Sequence, residues 1–161
     1  MELREPANLV SPKARWMWLV NGLLAVIVLL VPQILWWLVD RRGSLTPHLV
    51  VAGVWLVLAI VYLAVMPPWR YRVHRWESTP TAVYTQTGWA TQERRIAPVS
   101  RIQTVDMSRG PLAQLFGLAS VTVTTASAAG PLRIHGLEYA HARRLIDELT
   151  AATVAEPGDA T

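Results

Sequence analysis

The chain has 161 residues, room for one modest domain beyond any membrane segments, and 52% of them are apolar, above the about 45–50% usual in soluble domains. It has no cysteine, which excludes disulfides, thiolate metal sites and cysteine nucleophiles. The net charge of +4 is carried almost wholly by arginine, Lys13 being the single lysine, and this favours an anionic neighbour, lipid headgroup before nucleic acid when a membrane is near.

The apolar excess lies before Met66. Residues 1–15 are polar and broken by Pro6 and Pro12, which predicts a loose or surface-lying arm. From Trp16 to Val39 there is no charge, and these about 24 residues exceed the about 20 that a helix needs to cross a hydrocarbon core. Asp40-Arg41-Arg42-Gly43 closes that run. A second run, residues 48–66, ends at Pro67-Pro68, because two prolines do not continue a helix. A cleaved signal peptide competes for the first run, but its length, Pro32 within it and the lack of a small-residue cleavage pattern oppose that reading. The short connection predicts an antiparallel transmembrane hairpin over residues 16–68.

Tryptophan placement supports this independently. Trp16, Trp18, Trp36, Trp37 and Trp69 flank the runs, where an amphipathic ring favours the water–lipid interface, while Trp55 lies inside a span. Arg4, Lys13 and Arg15 precede the hairpin and Arg70, Arg72 and Arg75 follow it, against Arg41 and Arg42 between the spans. The positive-inside rule then puts both termini in the cytoplasm. Asn21 either hydrogen-bonds across the hairpin or reaches headgroups.

Beyond the hairpin the period changes. Residues 69–76 alternate, which predicts an exit strand with Arg70, Arg72 and His74 on one face and Tyr71 and Val73 on the other. Residues 82–96 read as a β-hairpin about Gly88. Pro98 ends that segment, Ile102, Val105 and Met107 mark a further strand, and Gly110-Pro111 opens one helical turn that Gly117 terminates. Val121 and Val123 alternate with Thr122 and Thr124, and Leu132 and Ile134 with Arg133 and His135. Leu137, Ala142, Leu145, Ile146 and Leu149 then mark one face of a closing helix. Residues 153–161, with Pro157 and Gly158, read as a disordered tail.

The segment Arg94, Arg95, Pro98 to Gln103, Val105, Gly110 to Leu112 and Gly117 to Val121 resembles the bacterial pleckstrin-homology-like family of small membrane-anchored, YdbS-like proteins. The resemblance covers Trp69 to about Thr150, and the family's usual pair of preceding membrane helices is present too. The chain departs at Trp76 to Pro80, where the family often has a Thr-Asp turn. The fold class expected is an α+β membrane protein: a two-helix transmembrane hairpin, then a pleckstrin-homology-like bent antiparallel sheet over residues 69–152 closed by a C-terminal helix. The resemblance supplies no catalytic residue.

The chemistry-bearing residues yield little else. His135, Glu138 and His141 are the nearest approach to a metal site, but they straddle the strand-to-helix junction without a clear further ligand, so they read as surface residues and no metal or other cofactor is expected. Glu93 and Asp106 read as partners of Arg95 or Arg101 rather than as an acid–base pair. No nucleophile-elbow, zincin, dinucleotide or P-loop pattern occurs, so no enzyme activity and no small-molecule substrate are expected. Trp89 and Tyr84 are too few stacking aromatics for nucleic acid.

Arg94, Arg95 and Arg101 either form a ligand or partner surface or simply charge the strand edges against aggregation. Arg70, Arg72 and Arg75 emerge at headgroup level and are expected to contact anionic lipid. These features describe a non-catalytic binding module of the bacterial plasma membrane, whose partners are the bilayer and a protein, itself included. The alternative is a small accessory subunit of a membrane enzyme or transporter complex, with Trp55, Gly22 and Gly53 marking helix packing.

Overall fold

The computed structural model describes residues 5–40, 43–88, 91–127 and 130–155; Arg4, Arg41, Arg42, Trp89 and the tail from residue 156 lie outside them. Two long antiparallel helices come first, α1 (Lys13–Val39) and α2 (Leu45–Val73). Only 6% of the most apolar stretch of α1 and 11% of that of α2 is buried. Val28, Leu29, Val57 and Leu58 stand more than half exposed, and an apolar face of this length is stable only in lipid. These are the chain's transmembrane helices. Gly22 lets them approach: a Cβ there would lie 3.1 Å from a Leu63 methyl and 3.3 Å from Tyr62. Gly53 has nothing within 4 Å, so of the two glycines only Gly22 packs the hairpin.

At the far end Ser44 caps α2, its hydroxyl accepting from the Thr46 amide at 3.3 Å. At the near end α2 does not stop at Pro67-Pro68 but runs through them to Val73, so the exit strand expected over residues 69–76 is replaced by about one and a half helical turns and a shorter strand, β2 (Arg75–Ser78). A proline inside a helix costs about 3 kcal/mol, which tertiary packing can outweigh. Here Met66, Pro67 and Val73 are buried. The Trp18 ring lies 4.9 Å from the His74 ring and 4.7 Å from the Arg70 guanidinium. His74 Nδ1 is 2.8 Å from the Arg70 carbonyl, which only accepts, so the imidazole donates and caps the helix.

The arm expected to be loose is part of the fold. β1 (Asn8–Leu9) pairs antiparallel with β2, Asn8 opposite Trp76 and Leu9 opposite Arg75. β3 (Ala82–Gly88) and β4 (Gln92–Pro98) complete a sheet of order β1-β2-β3-β4. The expected single bent sheet is divided at Pro98, where a 3-10 turn over Val99–Arg101 carries the chain into a second sheet. That sheet has the order β5-β6-β7, from β5 (Ile102–Ser108), β6 (Leu118–Thr125) and β7 (Leu132–Glu138). A single turn, α3 (Pro111–Leu115), joins β5 to β6, and Gly117 ends it at φ +67°.

The closing helix α4 (Tyr139–Ala155) buries Ala142, Leu145 and Leu149 against Val121, Val123, Leu132 and Ile134, with Val83 and Ala97 from the first sheet in the same core. Each fully buried leucine contributes about 1.5–3 kcal/mol, so α4 is held by its face and not by helix propensity. A second, smaller core joins Val10, Ala14 and Trp18 to Leu118, with Tyr71 and Phe116 packed on it. The first turn of α1 thus lies inside the domain.

Candidate functional site

The second core is where the domain meets the membrane helices, and Lys13, Arg15 and Arg70 lie around it. Gly136, at φ +78°, makes the approach possible: its carbonyl accepts from the Ser11 amide at 2.9 Å, and a Cβ there would fall 2.8 Å from the Ala14 Cβ. Lys13 Nζ lies 3.2 Å from Glu138 Oε1, and Arg15 stands over Tyr71 at 5.5 Å. The hydrogen bond and charge of Lys13 pull the Glu138 carboxyl below its usual range.

Two histidines sit behind this surface. His74, 2% exposed, is pulled down to about 4, first by burial and then by the charges of Arg70 and His135, against the opposing bond to the Arg70 carbonyl. His135, 3.2 Å from the Ser120 hydroxyl through Nδ1, is lowered by burial and by Arg70 and Arg133. Both are neutral at pH 7, so the fixed cations of the junction are lysine and arginine.

The arginines expected at the headgroups do not share one face. Arg70 is half-buried beside Trp18, Arg72 points to solvent, and Arg75 belongs to β2 opposite Gln86. Helical geometry separates the first two, which a strand would have aligned. Arg70 instead lines a cleft of about 330 Å³ with Met17, Trp18, Asn21, Pro111 and Leu112.

Arg94 and Arg95 are neighbours on β4 and point to opposite faces. Arg94 donates to Gln86 Oε1 at 3.0 Å and pairs with Glu5 at 3.1 Å. Arg95 pairs with Glu93 at 2.6 Å and donates to the Pro131 carbonyl at 3.2 Å, tying the two sheets together beside a cleft of about 240 Å³ that Thr85, Arg133 and His135 also line. Arg101 is exposed at the corner between the sheets. The three therefore do not form one surface. Glu93 takes its partner along its own strand, and Asp106 accepts from the Thr104 hydroxyl at 3.3 Å.

His135, Glu138 and His141 are likewise divided: His135 turns to Ser120, Glu138 to Lys13, and only His141 approaches Glu138, at 3.9 Å. Among the described residues no group of three or more His, Asp or Glu side chains is arranged to hold a metal ion. Sequence reasoning missed the stack of Arg70, Trp18 and His74. Its signal was the four-residue spacing of Arg70 and His74, which has meaning only once α2 continues past the prolines.

The sequence model of a family described as Bacterial PH domain matches residues 9–153. The match begins inside β1, so it takes in the arm and both membrane helices as well as the sheets. Among curated proteins the chain is similar to the UPF0699 transmembrane protein YdbS of Bacillus subtilis (strain 168), 36% identical over 101 residues. That alignment covers 63% of this chain and 62% of the relative, less than two thirds of the relative's own length. No solved structure gives a significant match.

Proposed function

The chain belongs to the bacterial PH domain family, and on that premise we propose that it is a non-catalytic binding module anchored in the bacterial plasma membrane. In this reading both termini are cytoplasmic, the junction rests on the anionic leaflet, and the outer faces of the sheets are free to meet a protein or a second copy of the chain. The observation that carries it is the seating of the domain. Ala14 is fully buried and Trp18 is 3% exposed, both between helix and sheet. The domain therefore cannot swing away from the bilayer, and Lys13, Arg15, Arg70 and Arg72 stay at the helix ends, where each gains about 1 kcal/mol from an anionic surface.

Two measurements test this. Reporter fusions at the C-terminus and in the connection between α1 and α2 should mark the first as cytoplasmic and the second as external; the reverse pattern overturns the orientation. In full-length chain held in nanodiscs, amides of residues 7–15 should exchange more slowly in phosphatidylglycerol than in phosphatidylcholine. The difference should vanish in high salt or on changing Lys13, Arg15 and Arg72 together to Gln, because screening acts over about 8–10 Å. Exchange that ignores lipid charge contradicts the surface contact.

A second reading, the accessory subunit, is favoured by one feature. An apolar groove of about 340 Å³ between Ala25, Leu29, Trp55, Ala59 and Tyr62 faces outward from the hairpin, and open Gly53 also lies on α2. Small and aromatic residues of this kind pack against another membrane helix. A stoichiometric foreign subunit recovered in mild detergent supports this reading, and a homo-oligomer or lone chain supports the module.

A further inference from the structure

We infer that the cleft between α1, the end of α2 and α3 is a binding site for the phosphate of one anionic glycerophospholipid, with Arg70 as its principal ligand. The inference deepens the surface contact proposed above and rests on it for the leaflet the cleft faces. Arg70 is half-buried and desolvated, yet among the described residues no Asp or Glu pairs with it. Its guanidinium lies 4.7 Å from the Trp18 ring, and the side chains whose charge states it senses, Tyr62, His74 and His135, carry no fixed negative charge at pH 7. A ring face satisfies the π side of a guanidinium and leaves the N–H edge, which matches the two oxygens of a phosphate diester. An uncompensated cation of this kind is costly to keep in a fold, and an anion bound at the site offsets that cost.

The rest of the cleft fits the same occupant. Asn21 offers a neutral amide one helical turn below Trp18, while Met17, Pro111 and Leu112 give apolar walls for the glycerol and the first acyl carbons. Its volume, about 330 Å³, is that of a small-molecule site and holds a headgroup rather than a whole lipid. The depth is right as well. Trp16 and Trp69, 57% and 48% exposed, lie within two residues of Trp18 and Arg70 along their helices and serve as interfacial anchors at that level, so the cleft opens where lipid phosphates lie. Free phosphate would meet the same guanidinium without using those apolar walls. A basic pocket between membrane helices at this level is the kind that selects an anionic lipid over a zwitterionic one.

The test uses the full-length chain in detergent micelles, which have no charged leaflet. It measures phosphatidylglycerol retained per chain by native mass spectrometry and the accompanying rise in unfolding temperature. The wild-type chain should retain one phosphatidylglycerol in preference to phosphatidylcholine, and inorganic phosphate should not displace it. Arg70→Gln should weaken retention at least about tenfold, the loss expected of a hydrogen bond to a charged group. Arg144→Gln, exposed on α4 away from the junction, should leave it unchanged. Should Arg70→Gln fold poorly, Asn21→Ala at an exposed position reports instead, with retention reduced roughly three- to tenfold. Equal retention in the cleft variants and wild type, or equal binding of phosphatidylcholine, overturns the site and leaves the module standing. Loss of lipid-dependent exchange protection in nanodiscs with retention intact overturns the module's surface contact and not the site.

Discussion

Gly136→Ala attacks the place where membrane anchor and domain become one body. Two separate penalties apply. The first is conformational: at φ +78° a Cβ is disfavoured by about 1–2 kcal/mol. The second is contact. The new methyl would stand 2.8 Å from the Ala14 Cβ, where carbons rest at about 3.5–4.0 Å, so the first turn of α1 must retreat by about 1 Å from β7. Overpacking of this kind costs about 1–3 kcal/mol, for a sum of about 2–5 kcal/mol. Gly117→Ala isolates the first penalty, because φ there is +67° and nothing lies within 4 Å of the added Cβ. Ala14→Gly in the Gly136→Ala background removes the opposing methyl and should return most of the contact penalty, read as a coupling energy in a double-mutant cycle. The assay is chemical unfolding of full-length chain in detergent, with hydrogen exchange at the Ser11 amide, which donates to the Gly136 carbonyl at 2.9 Å. If Gly136→Ala is no worse than Gly117→Ala and Ala14→Gly returns nothing, α1 is not seated on β7 as described.

The buried His74 imposes a pH dependence. Its pKa falls from 6.5 unfolded to about 4 folded, so its stabilising contribution is complete above pH 6.5 and is lost as pH falls toward 4, by about 3 kcal/mol at about 1.4 kcal/mol per unit. His74→Gln should flatten the unfolding midpoint over that window; an unchanged slope argues against a neutral buried imidazole. Leu145→Ala empties a 2% exposed site under α4 and should cost about 2–5 kcal/mol by denaturant unfolding, with less than 1 kcal/mol placing α4 off the sheet. A fragment begun at Trp69 loses Val10, Ala14 and Trp18 and uncovers Leu118, which is 0% exposed, so it should aggregate or unfold without a cooperative transition. A well-behaved fragment would show that the second core is dispensable.

What the sequence made legible was what is local and periodic. Uncharged runs marked the two membrane helices, alternation marked Val121 and Val123 inward on β6, and Gly117 and Gly88 stood where φ is positive. The helical spacing of Ala142, Leu145 and Leu149 gave the buried face of α4. Distant partners carried the remainder. A two-residue strand between prolines has no period to detect, and β1 forms only because Asn8 and Leu9 find Trp76 and Arg75 across the whole hairpin. The end of α2 misled for the same reason: proline chemistry argued for a stop at Pro67, while the contacts that carry the helix on, Trp18 with Arg70 and His74, come from another helix. Once residues 69–73 are helical, the expected basic face disperses and only Arg70 remains at the cleft.

The junction's charges form one arrangement. Burial disfavours a charged His74, and the Arg70 charge at the shared Trp18 ring adds to that. Arginine keeps its proton at every physiological pH, so the histidine yields, and its neutral ring is then free to donate to the Arg70 carbonyl and stack on Trp18. The consequence is a fixed positive charge at a defined depth, with a neutral, rigid backing that ties α1, α2 and β2 together. A lone surface arginine would offer the bilayer the same charge, but it would hold the domain at no particular angle. Arg70, the residue proposed to meet the lipid, is stacked on Trp18, which packs the domain, so the proposed lipid contact and the domain's orientation are coupled through one side-chain pair.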